Sequence, residues 1–439
     1  MIQIGSTPWL TLVAALLIIP VHSRAEDEGN AEGKKSLDPV LQVGGQLWQT
    51  KLDVFQKHFE SHGFEWLSAS HAGLRSVDPD LEMFGEKVGE TIVRSDEGII
   101  HRVDISVFNR GDQGSLTGSD FKNTLERWQG YVTSATDTRP EEAKSASDAA
   151  VGLKRVLWYT ADSAILLESS VSRNGPEFIR LRLAPKPKGA FYLGNTTGRV
   201  RQQVFRGDLR QNVTRQGDGD VVIKGVPMVD QGPKGYCAVA SAERVFRYYG
   251  LETDQHEMAQ LASSSSAGGT SQRMMYDALK TASTGVQLRV YDIIQFETKD
   301  FFDWIEAYNR EAKKEGVSLA PDDPRRIVYL DQVYEALDPA VYLKVKSSRG
   351  NFFSGFKDDV IENIEAGVPL MWGVYLGLYP EKDIPQARGG HMRLIIGYNR
   401  QKEELIYSDS WGAGHEAKRM PMNQAFAMTT GLYTVKPAR

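Results

Sequence analysis

Residues 230–250 read DQGPKGYCAVASAERVFRYYG and contain Cys237, the single cysteine of the 439-residue chain. The glycines and proline before Cys237 predict a loop, and the apolar residues after it recur at helical spacing until Gly250. Cys237 is therefore predicted to begin a helix, where unpaired backbone N–H groups and the helix dipole favour a reactive thiolate. The alternative is an inert, buried thiol, which is the common state of a free cysteine.

A second segment, residues 389–409, offers a base and an acid. His391 follows two glycines at the start of a predicted strand, and a second predicted strand ends at Asp409. A hairpin centred on Arg400 would place the two side chains directly opposite, with Cβ atoms about 4.5–5.5 Å apart. A carboxylate at that distance can orient an imidazole. A register slip of one residue would put the two side chains on opposite faces of the sheet. The alternative is a histidine at a strand end and an aspartate in a turn.

These segments resemble the papain-like cysteine peptidases. Gln231 lies six residues before Cys237, the spacing at which a glutamine of that family donates to the oxyanion hole beside the cysteine N–H. Residues 409–412 read DSWG and resemble the family's Asn-Ser-Trp-Gly, with aspartate in place of asparagine. Aspartate is also found in the bacterial peptidases that process double-glycine leader peptides, and residues 248–250, YYG, resemble the end of their nucleophile helix.

The resemblance covers about residues 222–435 and implies a papain-like domain, with a helical part followed by an antiparallel sheet. It implies that Cys237 is the nucleophile, His391 the base, Asp409 the residue that orients it, and Gln231 an oxyanion donor. No cofactor or metal is implied, and the substrate is a peptide or protein. The chain has Cys237, Ala238 and Val239 where the leader-processing branch usually has Cys-Gly-Pro or a similar run of small residues. Members of that branch are also usually fused to membrane transporters and work in the cytoplasm, which is not expected here, so the double-glycine substrate is not carried over.

The whole chain is predicted to be α+β, with two globular parts. The predicted division is a signal peptide at 1–25, an acidic linker at 26–40, an α+β domain at 41–185, a connector at 186–220 and the peptidase-like domain at 221–439. The signal rests on an apolar run followed by small residues before a cleavage site, and an uncleaved anchor is the alternative. The expected location is therefore secreted or in the cell envelope, without a membrane span in the mature chain.

The N-terminal domain is predicted from apolar periodicity. Helices are expected over 48–59, and over 121–132 after a cap at Ser119 or Asp120. Strands are expected at 90–94, 101–109, 155–159, 164–169 and 177–183. The connector is expected to hold at most one short hairpin.

The charge balance excludes one class of partner. Lysine plus arginine number 52 against 57 acidic residues, a net charge of −5, without the basic composition typical of nucleic-acid-binding proteins. His58 and His62 are one helical turn apart and could share a metal, but no third ligand stands at a suitable spacing, so a solvated helix face is favoured. His415 is interpreted as a rim residue of the groove, and Met274 and Met275 as part of a helix beside it.

Two other functions stay open on the sequence. A transglutaminase-type acyl transferase also has its cysteine, histidine and aspartate in this order, and a catalytically inactive peptide-binding module would keep the same groove. Trp411 is interpreted as a shield for the hydrogen bond between His391 and Asp409, or simply as a core tryptophan. The oligomeric state is not predicted.

Overall fold

The computed structural model describes residues 35–143, 153–172, 175–186, 209–232, 236–251, 288–322 and 329–437, together with residues 276, 277, 279, 280 and 283. The predicted signal peptide and most of the acidic linker, residues 1–34, lie outside the described residues. So do Met274, Met275 and most of the connector, residues 187–208.

The N-terminal region, residues 35–186, folds around an antiparallel sheet in the strand order β2-β3-β6-β7-β11-β10-β9-β8, beside a small sheet in the order β1-β4-β5. Its strands are β1 (Lys35–Ser36), β2 (Glu65–Trp66), β3 (Gly73–Ser76), β4 (Leu81–Met83), β5 (Glu86–Lys87), β6 (Thr91–Asp96), β7 (Ile99–Asn109), β8 (Glu141–Ala143), β9 (Leu153–Tyr159), β10 (Ser163–Ser172) and β11 (Gly175–Pro185). Its α-helices are α1 (Pro39–Gln42), α2 (Leu52–His58), α3 (Arg110–Gln113) and α4 (Gly118–Thr136). The expected strands are all present, each longer than predicted.

The two helix predictions need correction at their starts. The helix expected from residue 48 begins only at Leu52, because Thr50 is extended and Lys51 forms an isolated bridge with Ile99. The longer helix, α4, is capped by Thr117, whose side chain accepts a hydrogen bond from the backbone N–H of Asp120. The cap therefore lies ahead of both predicted candidates, and Asp120 stands inside the helix.

The two faces of the N-terminal sheet differ in chemistry. Along β7, Val103 and Ile105 point to an apolar core that includes Trp128 of α4. Alternate residues Arg102 and Asp104 occupy the opposite face and are also buried. Side chains alternate along a strand, so a sheet with both faces covered must bury whatever its second face carries. Here that face carries ion pairs.

The C-terminal region is built on a second antiparallel sheet, in the order β12-β13-β16-β15-β19-β14, with β17 pairing to β16 and β18 to β17. Its strands are β12 (Val213–Arg215), β13 (Asp220–Ile223), β14 (Leu288–Ile294), β15 (Leu370–Leu376), β16 (Gly389–Asn399), β17 (Glu404–Ser408), β18 (Lys418–Pro421) and β19 (Thr429–Pro437). Its helices are α5 (Cys237–Tyr248), α6 (Thr298–Glu315), α7 (Leu330–Ala336), α8 (Pro339–Ser348), α9 (Gly350–Glu365) and α10 (Met422–Met428). Strands β12 and β13 form the short hairpin expected near the connector.

Both faces of the central strand β15 are covered, which explains its uninterrupted apolar sequence. Met371 packs in the cluster that contains the inner face of α5. Its neighbours Leu370 and Trp372 pack on the other side, in the cluster that contains the helices α6 to α10. The start of α5 and the strands β15 and β16 are thereby held in one buried layer.

The described chain is mixed α+β, as predicted. A separate N-terminal domain stays a prediction, because residues 35–439 form one compact unit. Among the helices of the described residues, none is both long enough and apolar enough to cross a membrane.

Candidate active site

Cys237 is the first residue of α5, as the sequence predicted. The residue before it, Tyr236, gives no side-chain cap, so the first backbone N–H groups of the helix are not satisfied by a cap and favour a negative charge there. Burial would raise the pKa of the Cys237 thiol, but attraction to His391, a hydrogen bond with it and one with the backbone of Met392 outweigh burial and lower it. The thiol is therefore biased toward thiolate.

His391 lies near the start of β16, opposite Val374 of β15, and its side chain is completely buried. Its Nε2 is 2.5 Å from Oδ1 of Asp409. Cys237 and His391 are close enough to change each other's pKa. Burial opposes the charge on the imidazole, but Asp409 and Cys237 together raise its pKa to about 9.

Asp409 follows the end of β17 and has no exposed side-chain surface. Its Oδ1 also accepts a hydrogen bond from the backbone N–H of Ser410 at 3.2 Å. Burial would raise the pKa of this carboxyl, but the positive charges of His391 and Arg393 lower it to about 2. The group is an anion wherever the protein is folded at ordinary pH.

The hairpin that joins His391 to Asp409 differs from the predicted one. Strands β16 and β17 pair Asn399 with Glu404 around a four-residue turn, so the hairpin is not centred on Arg400. An even turn alone would put the two side chains on opposite faces, but the register shifts at Ile396, which is bulged out of the ladder. The bulge restores the parity, and the register beyond it aligns Asp409 with residue 393, two positions from His391. The two side chains therefore meet as diagonal neighbours on one face.

Trp411 lies over the base. Its ring stacks on the imidazole of His391 with centroids 4.3 Å apart and planes 8° from parallel. The rings of Trp411 and His415 lie edge to face, with centroids 5.7 Å apart. The backbone carbonyl of His415 accepts a hydrogen bond from the Asp409 N–H at 2.8 Å. The apolar ring therefore covers one face of the imidazole, and its role as a shield for the hydrogen bond between His391 and Asp409 stays a prediction.

Gln231 is buried beside the same strand end. Its backbone N–H donates to the carbonyl of Ser410 at 2.8 Å, and its Oε1 accepts from the Ser410 hydroxyl at 2.7 Å. The carbonyl branch of the amide is thereby directed at Ser410, which turns the NH₂ branch away from it. Ser410 thus connects the glutamine to Asp409, its neighbour in the chain.

A buried arginine, Arg393, was not identified from the sequence. Its Nε lies 2.8 Å from Oδ2 of Asp409 in a charge contact that lacks hydrogen-bond alignment. Its Nη1 donates to Glu381 at 2.8 Å, and the Tyr407 hydroxyl donates to the same oxygen of Glu381 at 2.5 Å. Arg393 therefore holds the second oxygen of Asp409, leaving the first for His391. Its position two residues after His391, on the same face of a strand, is a signal that sequence reasoning could have used.

A second arginine supports the backbone at the same point. Arg244 lies on α5, two turns after Cys237, and its guanidinium donates to the carbonyls of Asp409 at 2.9 Å and Pro227 at 2.8 Å. Burial lowers the pKa of Arg244 to about 10. Arg244 therefore connects α5, the helix that begins at Cys237, to the end of β17, where Asp409 lies.

The other residues singled out by the sequence lie elsewhere. His58 ends α2, and His62 has its Nε2 3.2 Å from the Ser36 carbonyl. Within the described ranges, no group of three or more His, Cys, Asp or Glu side chains is arranged to hold a metal ion.

Comparisons with known proteins bear on the C-terminal region. Residues 223–432, just under half of the chain, match the family model described as "Peptidase_C39 like family". Among solved structures, the crystal structure of xylellain, a cysteine protease from Xylella fastidiosa, is similar at 12% identity, covering 55% of this chain and 94% of that chain with a TM-score of 0.25. A TM-score that low lends no support to the fold. No curated protein matches the chain.

The family match confirms the resemblance noted in the sequence. The matched range contains Gln231, Cys237, His391 and Asp409. Residues 223–432 are similar to the C39-like peptidases, and the enzyme class is a cysteine-type peptidase with a peptide or protein substrate.

Proposed function

We propose that the chain is a secreted cysteine peptidase that hydrolyses peptide bonds through a triad of Cys237, His391 and Asp409. One observation carries the proposal: a buried imidazole contacts Asp409 through one nitrogen and interacts with the single cysteine, with opposite changes in their pKa values. A lowered thiol pKa beside a raised imidazole pKa favours the thiolate–imidazolium pair. That pair is the reactive form of a cysteine nucleophile.

The reaction follows from those charges. His391 takes the thiol proton, and the sulfur of Cys237 forms a bond to the peptide carbonyl carbon while an electron pair moves onto the oxygen. The amide of Gln231 and the backbone N–H of Cys237 stabilise that oxyanion. The imidazolium then protonates the amine, which leaves as the C–N bond breaks. A thioester remains.

Water completes the cycle. His391, now neutral, takes a proton from the water that attacks the thioester carbonyl, and the thiol leaves with that proton returned to it. Asp409 keeps the imidazole in one tautomer and stabilises its charged form in both halves. Arg393 keeps the carboxylate ionised, so that the proton stays on the imidazole rather than on Asp409.

Secretion is the part of the proposal that rests on the sequence alone. The apolar run and small residues of 1–25 favour export. A chain with a single cysteine cannot form an intramolecular disulfide, so an oxidising compartment is compatible with a free thiol at this position. Expression of the full chain with a C-terminal tag, followed by N-terminal sequencing of the exported product, tests this part. Cleavage after Ala25 is expected, and retention of Met1 in the membrane fraction would show an anchor.

The hydrolase function is tested with a peptide library, comparing the wild type with Cys237→Ala. Cleavage by the wild type alone is expected, with water as the acceptor: adding a primary amine should leave carboxylate products dominant. Products joined to the amine would show an acyl transferase instead. No cleavage by either protein, combined with peptide binding, would show an inactive binding module.

A further inference from the structure

A contact from the N-terminal region reaches the loop that carries Gln231. Arg75, in β3, places its Nη1 3.0 Å from Oδ2 of Asp230, the residue before Gln231. The other side of the same guanidinium is held by Glu90, with Nε 2.6 Å from its carboxylate. Nε and Nη1 of Arg75 are thus both paired with carboxylates, which restricts the movement of the guanidinium.

Asp230 transmits this contact to the loop. Its Oδ1 accepts a hydrogen bond from the Gly232 N–H at 2.8 Å, which closes a turn around Gln231. Gly232 has a φ of +66°, and a Cβ there would lie 2.6 Å from Nη2 of Arg75. The backbone of the turn therefore lies directly against the guanidinium. Gln231 is clamped between this turn and Ser410, which bonds its backbone N–H and its Oε1.

Other contacts bring the same N-terminal region close to the nucleophile. Nη2 of Arg94, in β6, lies 3.4 Å from Oε1 of Glu243 on α5. The backbone N–H of Ala69 donates to Glu416 at 2.7 Å, near the turn that follows Trp411. Tyr236, adjacent to Cys237, is buried, and burial followed by the negative charges of Asp112 and Glu177 raises its pKa to about 12. The N-terminal region therefore borders the active site at several points.

We propose that Arg75 is a positioning residue for the oxyanion hole, acting through Asp230 on Gln231, so that the N-terminal region is a working part of the peptidase. This inference rests on the proposed function. It assigns to the N-terminal region a role in catalysis that lies outside the matched residues 223–432. If Arg75 acts through Gln231, its effect on kcat should disappear when Gln231 is removed.

The test is a double-mutant cycle in the full chain, measuring kcat, KM and the rate of Cys237 alkylation by iodoacetamide. Gln231→Ala should lower kcat by about 10²–10³-fold. Arg75→Gln should lower kcat by about 10-fold with KM and alkylation unchanged, within the coupling expected for members of one hydrogen-bond network. In the Gln231→Ala background, Arg75→Gln should change kcat by less than about 2-fold, because its target is gone.

Two further variants and a control sharpen the result. Asp230→Asn removes the charge from the other side of the contact and should reproduce Arg75→Gln, which keeps the test valid if the arginine variant fails to fold. Arg75→Lys keeps the charge but not the two-armed geometry, so it should recover only part of the loss. Arg127→Gln is the matched control: Arg127 belongs to the same region and is paired with Glu86 at 2.8 Å, but it is half-exposed. It should leave kcat unchanged.

Failure of the inference and failure of the proposed function are distinguishable. A wild type that cleaves no peptide, or a Gln231→Ala variant as fast as the wild type, refutes the function. If Gln231→Ala is slow but Arg75→Gln and Asp230→Asn are as fast as wild type, only the role of Arg75 is refuted. The same holds if Arg75→Gln lowers kcat equally in both backgrounds, or lowers alkylation together with kcat, because its effect would then not pass through Gln231.

Discussion

Two buried carboxylates, Glu168 in the N-terminal sheet and Asp409 in the C-terminal sheet, are kept ionised by neighbouring cations. They differ in whether a neighbouring cation can release its proton. Glu168 has no exposed surface and lies 2.8 Å from Arg155, 2.6 Å from Arg180 and 3.1 Å from Arg182. Burial opposes its charge, but the three guanidinium groups lower its pKa below the usual range. Every neighbour in that cluster is a permanent cation, because arginine does not release its proton in proteins.

Asp409 is equally buried but has one arginine and one histidine. Arg393 holds one carboxylate oxygen and His391 the other. Histidine gains and loses a proton near neutral pH, unlike arginine. A buried carboxylate paired with cations therefore holds the arginine side chains in place around Glu168. Beside Asp409, the same kind of pairing stabilises the protonated form of His391, which can release its proton. The chemical difference between the two clusters is the histidine, which only the Asp409 cluster contains.

The largest expected effect separates reactive from structural groups. Cys237→Ala and His391→Ala should each lower kcat by a factor of order 10⁶, and the double variant should be hardly slower than either, because nucleophile and base act as one unit. Steady-state kinetics at matched protein concentration measures this. Thermal unfolding serves as the control and should show both single variants folded.

A different result would change the assignment. If one single variant kept wild-type kcat, that residue would not belong to the unit. Equal and additive losses would mean that the two residues act independently, and the contrast with the Glu168 cluster would disappear.

The second effect belongs to the structural cluster. Glu168→Gln removes the negative charge from between three buried arginines and should cost about 3–5 kcal/mol in the free energy of unfolding. Urea denaturation measures the loss, and the alkylation rate of Cys237 in the folded protein should stay the same. Glu126→Gln is the control, because Glu126 pairs only at the surface with the exposed Lys122, 3.7 Å away on the same helix, and its loss should leave the stability nearly unchanged. A Glu168→Gln protein as stable as the wild type would show that the arginines find other partners.

The sequence predicted which candidate side chains lie together better than it predicted their supports. Cys237, His391 and Asp409 were singled out because Cys237 is the single cysteine, a hairpin would bring the other two together, and Gln231 stands at the spacing of the resembled family. The contact between His391 and Asp409 was predicted from a hairpin centred on Arg400, which the structure does not have. The turn has an even number of residues, and the bulge at Ile396 brings the two side chains back to the same face of the sheet. A bulge is set by packing on both faces of β16, which a single strand's pattern does not reveal.

The supporting residues were missed for a related reason. Arg393 pairs with Glu381, which comes from the connection between β15 and β16, and Arg75 pairs with Asp230 across 155 residues of sequence. Contacts between distant segments leave no local periodicity. The N-terminal strands were predictable, because alternation is local, whereas the burial of charge on their second face depends on what covers it.

The third effect follows from the raised pKa of His391. Because that pKa is raised to about 9, the imidazolium persists through neutral pH and is lost as the pH rises through about 9. Turnover needs the imidazolium to protonate the leaving amine, so kcat/KM should fall about tenfold per pH unit above that value. Alkylation of Cys237 needs only the thiolate and should not fall there. A turnover profile that stays level up to pH 10 would show that another group supplies the proton.

The smallest effect concerns Asp409→Asn, which changes the acid and leaves both His391 and Arg393 in place. Arg393 keeps its contact with Glu381 at 2.8 Å, so the fold should survive. Loss of the carboxylate lowers the imidazole pKa, by about one unit or more for a charge at that distance. The alkaline fall in turnover should therefore move to lower pH.

The same substitution should move the alkylation profile of Cys237 to higher pH. Two influences oppose each other: the Asp409 charge itself raises the thiol pKa, while the imidazolium that it maintains lowers it. The imidazolium contacts the thiol directly and the carboxylate lies behind the ring, so the loss of imidazolium should dominate. Partial turnover should remain, because an asparagine oxygen can still accept the ring N–H bond, as in the papain-like peptidases that the sequence resembles. Unchanged pH profiles for both alkylation and turnover would mean that Asp409, like Glu168, stabilises the fold and does not affect the protonation of His391.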